Sequence, residues 1–264
     1  MIPALVTISF GAYLIKNPFR DFINNTGDGV KTMWERGFGQ LYTDNLASSS
    51  WTKGGSSELA VLSAVLCANT PQLILSFIYL MYNSLFTGMM MGQEWNRFGS
   101  TTRRKHLRVT YPQGEQRETY WLQLPYRYAL PLMACSAFIH WCTSQALFFA
   151  QLKIDGVRYP RVAYSVLATV FSMGFGGLLL LVVSLFGFRR YQNDMPVVGS
   201  CSAAISAACH PIDTLTRSKR EDLVLQPLQW GDVGVSEGGF RHLTFSDKEV
   251  SMPIELEAYA GVTK

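Results

Sequence analysis

The chain has 264 residues, of which 48% are hydrophobic, 13% aromatic and only 16% charged, and its mean hydropathy is +0.11. Soluble globular proteins carry about 25% charged residues, so this deficit excludes a disordered segment and argues against an ordinary water-soluble domain. A net charge of +4 is too small to define a nucleic-acid binder, and five cysteines are too few for a disulfide scaffold.

Four stretches contain no Asp, Glu, Lys or Arg: 1–15, 59–91, 128–152 and 162–188. A charge at the bilayer centre costs about 2.5–3.5 kcal/mol, so charge-free runs of about 20 residues or more read as membrane spans. The last three runs qualify. The first, MIPALVTISFGAYLI, is shorter than a full crossing and lacks the basic start of a signal peptide, so it reads as a partial span. The resulting expectation is an all-α transmembrane bundle of three or four spans, with a small β-hairpin in the 92–127 loop and a mostly irregular tail.

The 16–58 segment is a polar loop with Gly and Ser clusters. Within it Met33, Trp34, Phe38, Leu41 and Tyr42 recur at the spacing of a short interfacial helix, and Asn24-Asn25-Thr26 is a glycosylation sequon on Asn24.

In the 59–91 run, Asn69, Gln72, Ser76, Tyr79 and Asn83 follow one another at steps of three and four, which places them on one helix face. That face is unsuited to lipid. It reads either as a pore or substrate lining or as a surface for hydrogen bonds between helices. Pro71 removes a backbone donor and predicts a kink.

The 92–127 loop holds seven basic and three acidic residues, including Arg103, Arg104, Lys105 and Arg108. Alternating residues on both sides of Pro112-Gln113-Gly114 predict the hairpin. The aromatics Tyr120, Trp121, Tyr126 and Tyr128 point to the headgroup level of a bilayer.

The 128–152 run contains Ser136, Thr143, Ser144, Gln145 and His140, whose depth makes it a functional candidate although it has no acidic partner there. A short connection, 153–161, leads to the 162–188 run. There Ser165, Thr169, Ser172 and Gly176 lie at steps of four, three and four, a small-residue face suited to close helix packing.

The 189–264 tail opens with a small-residue helix expected over 197–209, flanked by Cys201, Cys209 and His210, whose spacing matches no standard zinc site. Two strand-like segments, LVLQPLQWGDV and HLTFSDKEVSM, follow on either side of a Gly-rich break. Basic residues divide nine against eight between the two sets of loops, so orientation rests on the Arg103–Arg108 cluster, which favours a cytoplasmic 92–127 loop and tail.

The segments ANTPQLILSFIYLMYNS, LRVTYPQGEQRETYWLQLPYRY and GSCSAAISAACHP, with TGDGV upstream, resemble the C-terminal part of a family of fungal multi-pass membrane proteins known only by a domain of unknown function. The resemblance runs from about Asn24 into the tail. It implies a shortened member in which 1–15 is the remnant of an upstream span, although TGDGV departs from the more alanine-rich pattern of the family. It supplies architecture and location but no catalytic residue.

His106, His140, His210 and His242 form no histidine box, and no HExxH, GxSxG, P-loop or GxGxxG sequence is present. The expectation is a non-enzymatic integral membrane protein of the plasma membrane or endomembranes. It would act as a transporter-like or scaffold component, or assemble through the Ser165–Gly176 face with a helix partner or a second copy. Its medium is the lipid bilayer, and neither cofactor, metal nor nucleic acid is expected.

Overall fold

The computed structural model describes residues 29–46, 58–121, 123–193, 195–209, 221–235 and 239–259. In chain order these form helix α1 (Gly29–Arg36), the long helix α2 (Glu58–Asn96), the two-residue strands β1 (Arg108–Val109) and β2 (Arg117–Glu118), and helix α3 (Tyr126–Ala146). Strands β3 (Leu147–Ile154) and β4 (Val157–Tyr164), helix α4 (Val166–Gly187), the short helix α5 (Ser202–Ala208), and strands β5 (Gln229–Val235) and β6 (Arg241–Ser246) complete the order. The 1–15 segment and the Asn24 sequon lie outside the described residues, as does His210.

Among the described residues the fold is mixed, 52% helical and 19% strand with three two-stranded sheets, which overturns the expected all-α transmembrane bundle of three or four spans. Two helical segments, Glu58–Gly99 and Val166–Gly187, are long and apolar enough to cross a membrane. The physical reason for the difference is that missing charge marks burial or lipid contact without specifying backbone period. The 128–152 run is helical only to Ala146 and then continues as β3, while the 162–188 run starts in β4 and becomes helical at Val166. The expected 153–161 connection is therefore the tip of a hairpin, turned by Asp155 (φ 51°) and Gly156 (φ 82°). Two consecutive positive φ values match the right-handed twist of the strands, which is why Asp-Gly closes such turns.

The chain forms two compact units. The first comprises 1–83 and 130–187. In it the β3–β4 hairpin pairs from Leu147↔Tyr164 to Ile154↔Val157, and Leu46 bridges Ala163 on the other edge of β4. Phe38 stacks on Trp141 at 5.5 Å and meets Phe171 edge-on at 5.3 Å, so the segment after α1 packs on α3 and α4. Helix α2 runs through Pro71 without a break. Just before the proline, Asn69 Nδ2 and Thr70 Oγ1 donate back to the carbonyls of Val65 and Leu66, both at 2.8 Å, while the carbonyl that Pro71 leaves without its ladder donor is that of Cys67.

The second unit comprises 84–129 and 188–264. Its core is Phe98, Met195, Leu228 and Trp230, flanked by Trp95, Leu107, Leu223, Leu243 and Phe245. Strands β5 and β6 pair antiparallel with an irregularity between Asp232 and Val235, so the tail has the hairpin that its two strand-like segments foreshadowed and is not mostly irregular. The hairpin expected within 92–127 is absent: β1 and β2 form a parallel ladder of two residue pairs. The turn region is instead tied to the tail, with Glu115 N–H donating to Leu225 O at 3.1 Å and Gln116 Nε2 to Val224 O at 3.0 Å. The small-residue helix is confined to Ser202–Ala208.

Candidate functional site

In the first unit, Gln72 on α2 meets His140 on α3. The Gln72 Nε2 amide donates to the His140 carbonyl at 3.0 Å, which fixes Oε1 as the acceptor facing the ring, and His140 Nδ1 lies 2.6 Å from it. Nδ1 therefore carries a proton in this arrangement. The remaining members of the expected polar face divide. Asn69 and Ser76 are exposed and bond back to carbonyls of their own helix, while Tyr79 and Asn83 are half-buried further along α2. Asn83 is eleven residues beyond Gln72, about 16 Å along the axis. Gln145 does not join the pair. Its amide reaches Ser144 Oγ at 3.4 Å and lies against Gly39, whose φ of 64° suits glycine and where a Cβ would collide with Gln145 Oε1.

The small-residue face of α4 is used inside the unit. Ser165 Oγ donates to Gly37 O at 3.2 Å, and a Cβ on Gly176 would sit 3.5 Å from Ile139 Cδ1 of α3. Thr169 and Ser172 donate to the carbonyls one turn earlier, at 2.8 Å each, which hides their hydroxyls along the helix. A small recess lies beside Ser165, lined by Arg36, Gly37, Gln40 and Asn45, with Arg36 Nη1 3.2 Å from Asn45 Oδ1.

In the second unit, an ionic chain was only partly visible as the Arg103–Arg108 cluster. Glu94 Oε1, near the end of α2, accepts from Lys105 Nζ at 3.0 Å and Arg108 Nε at 2.9 Å. Arg108 then donates to Tyr120 Oη at 2.8 Å and lies 4.2 Å over that ring, and Tyr120 meets Tyr126 edge-on at 5.7 Å. Burial pulls the Lys105 ammonium below its usual value, opposed by Glu94. Next to this chain Asn96 Nδ2 donates to Asn193 O at 2.7 Å, Asn193 Nδ2 returns a bond to Asn96 O at 2.8 Å, and Trp95 Nε1 donates to Pro196 O at 3.0 Å. The Asn96–Asn193 pairing carried no sequence signal, because both residues sit at run boundaries nearly a hundred positions apart.

A second polar centre missed from sequence is Asp232 in β5. Its buried carboxylate accepts from Arg241 Nε at 2.6 Å, Gly234 N–H at 2.8 Å and Tyr259 Oη at 3.1 Å. Burial pushes its pKa up, but these three donors outweigh that and hold it below the usual carboxylate value. Cys201 and Cys209 are exposed free thiols, and no group of three metal-ligating residues occurs among the described residues.

These arrangements define bonds that clip helices together in the first unit and polar and ionic bonds that order the second. The chain belongs to the family described as Domain of unknown function (DUF8419), whose model matches residues 5–261. No curated protein and no solved structure matches it.

Proposed function

We propose that this protein is an integral membrane scaffold without a catalytic site of its own, in which α2 and α4 lodge in lipid. The observation that carries this reading is that only 17% of the most apolar stretch of each of these helices is buried within the protein. The core helix of a water-soluble protein would bury its apolar surface, whereas Leu66, Leu73, Phe77, Leu80, Leu181 and Leu185 are all exposed. Hydrocarbon is the surrounding that makes such a surface favourable.

The scaffold reading is favoured over a transporter-like one by the use made of polar groups. Gln72 and His140 satisfy each other, and Ser165 and Gly176 serve packing inside the first unit, so these residues act as interhelical fastenings. The proposal extends to a fungal multi-pass protein of the plasma membrane or endomembranes with a cytoplasmic tail, which the early resemblance and the Arg103–Arg108 cluster favour. Alkaline carbonate washing of membranes tests it. The protein is expected to stay in the pellet, and its release into the supernatant would remove the basis of the proposal.

A further inference from the structure

The described ends of three helices carry arginine beside an aromatic ring in the second unit. Arg97 follows Trp95 at the end of α2, Arg127 follows Trp121 and Tyr126 at the start of α3, and Arg189 and Arg190 follow Phe188 at the end of α4. These arginines are exposed, as are Trp121 at 78% and Phe188 at 83%. Contacts within the unit bring together the end of α2, the start of α3 and the segment at Asn193. Arg108 links Glu94 of α2 to Tyr120, which packs on Tyr126 of α3, while Asn96 bonds Asn193 just beyond α4.

Charge is sorted in the same way. Segments 92–127 and 189–190 contain nine basic residues against three acidic ones, and Glu94, one of those three, is already engaged by Lys105 and Arg108. The rest of the tail, 191–264, reverses the balance with ten acidic residues against six basic. Exposed arginines and rings around these segments complement a negatively charged bilayer surface.

We infer that these exposed residues, centred on Arg97, Arg103, Arg104, Arg127 and Trp121, bind the headgroups of anionic glycerophospholipids. The inference rests on the membrane reading and adds lipid selectivity to it. Each cation near such a surface strengthens attraction roughly five-fold, whereas the rings anchor without regard to headgroup charge.

The test is to place the full chain in bilayer discs containing equal phosphatidylserine and phosphatidylcholine and to measure the lipid that stays with it after re-extraction. Phosphatidylserine should be enriched by roughly three-fold or more and fall to parity in about 0.5 M salt, which screens exposed charge without any substitution. The R103Q/R104Q/R127Q variant should also fall to parity, while W121A should weaken retention of both lipids alike. Parity in the unaltered protein at low salt, with the chain still resistant to carbonate, would overturn the inference and leave the membrane reading standing. Enrichment by a chain that carbonate releases would support the headgroup site and overturn the spanning reading beneath it.

Discussion

Gln72 and His140, 68 residues apart, are joined by two hydrogen bonds, one to the imidazole and one to the histidine's own carbonyl. A side chain that holds both the ring and the backbone of its partner fixes the rotation of α3 as well as its distance from α2. Interhelical bonds in a membrane average about 0.6 kcal/mol, so Q72L is expected to cost about 1 kcal/mol. Unfolding in lipid or mild detergent measures it. Q72L and H140L should each destabilise, H140L less because the bond to the residue 140 carbonyl remains, and the double variant should cost less than their sum, because each single change already breaks the imidazole bond.

Asp232 makes the second unit sensitive to acid. Its carboxyl is depressed in the folded chain, so its contribution is present above the unfolded value of about 3.9 and is lost as pH falls through the lower folded value. The fluorescence of buried Trp230 should hold steady from neutral pH to about 5 and report loosening below about 4. D232N should lower stability at pH 7 by about 2–3 kcal/mol and flatten the acid limb, since three donors lose their charged acceptor.

The β3–β4 turn depends on positive φ at both central residues. G156V places a branched side chain at φ 82° and should cost about 1–2 kcal/mol, whereas D155N keeps a residue that tolerates this conformation and should be nearly neutral. Thermal unfolding of the two variants separates turn chemistry from charge.

Much of this was legible in the residues and some was misread. Charge-free runs located α2, α3 and α4, because excluding charge from an apolar surrounding acts residue by residue. The same rule could not separate helix from strand over Leu147–Tyr164, although Asp155-Gly156 between LFFAQLKI and VRYPRVAY carried the hairpin signal. Alternation around Pro112–Gly114 was read as an antiparallel hairpin, but its flanks pair in parallel over two residues only, while Glu115 N–H and Gln116 Nε2 go to Leu225 and Val224, a choice set by long-range packing. Gln72 and His140 stood out singly as polar groups in apolar runs, and only the fold shows that they meet. The Asp232–Arg241–Tyr259 cluster depended on a strand register broken by a bulge, which no spacing in the chain announces.

The central claim is that α2 and α4 are embedded in a bilayer. Lys105 N–H and O pair with Leu228 at 2.8 Å each, so the 97–125 loop and the tail are parts of one folded body and must share a compartment. Epitope tags inserted near Gln113, at the Asp155–Gly156 tip and at the C-terminus, probed with protease in sealed vesicles, measure this directly. Because the loop and the tail share a compartment, α4 can cross only if α3 crosses as well, so the account predicts that the Gln113 and C-terminal tags are cut or protected together while the tip behaves oppositely. Equal access to all three tags, or opposite access to the loop and the tail, would contradict it.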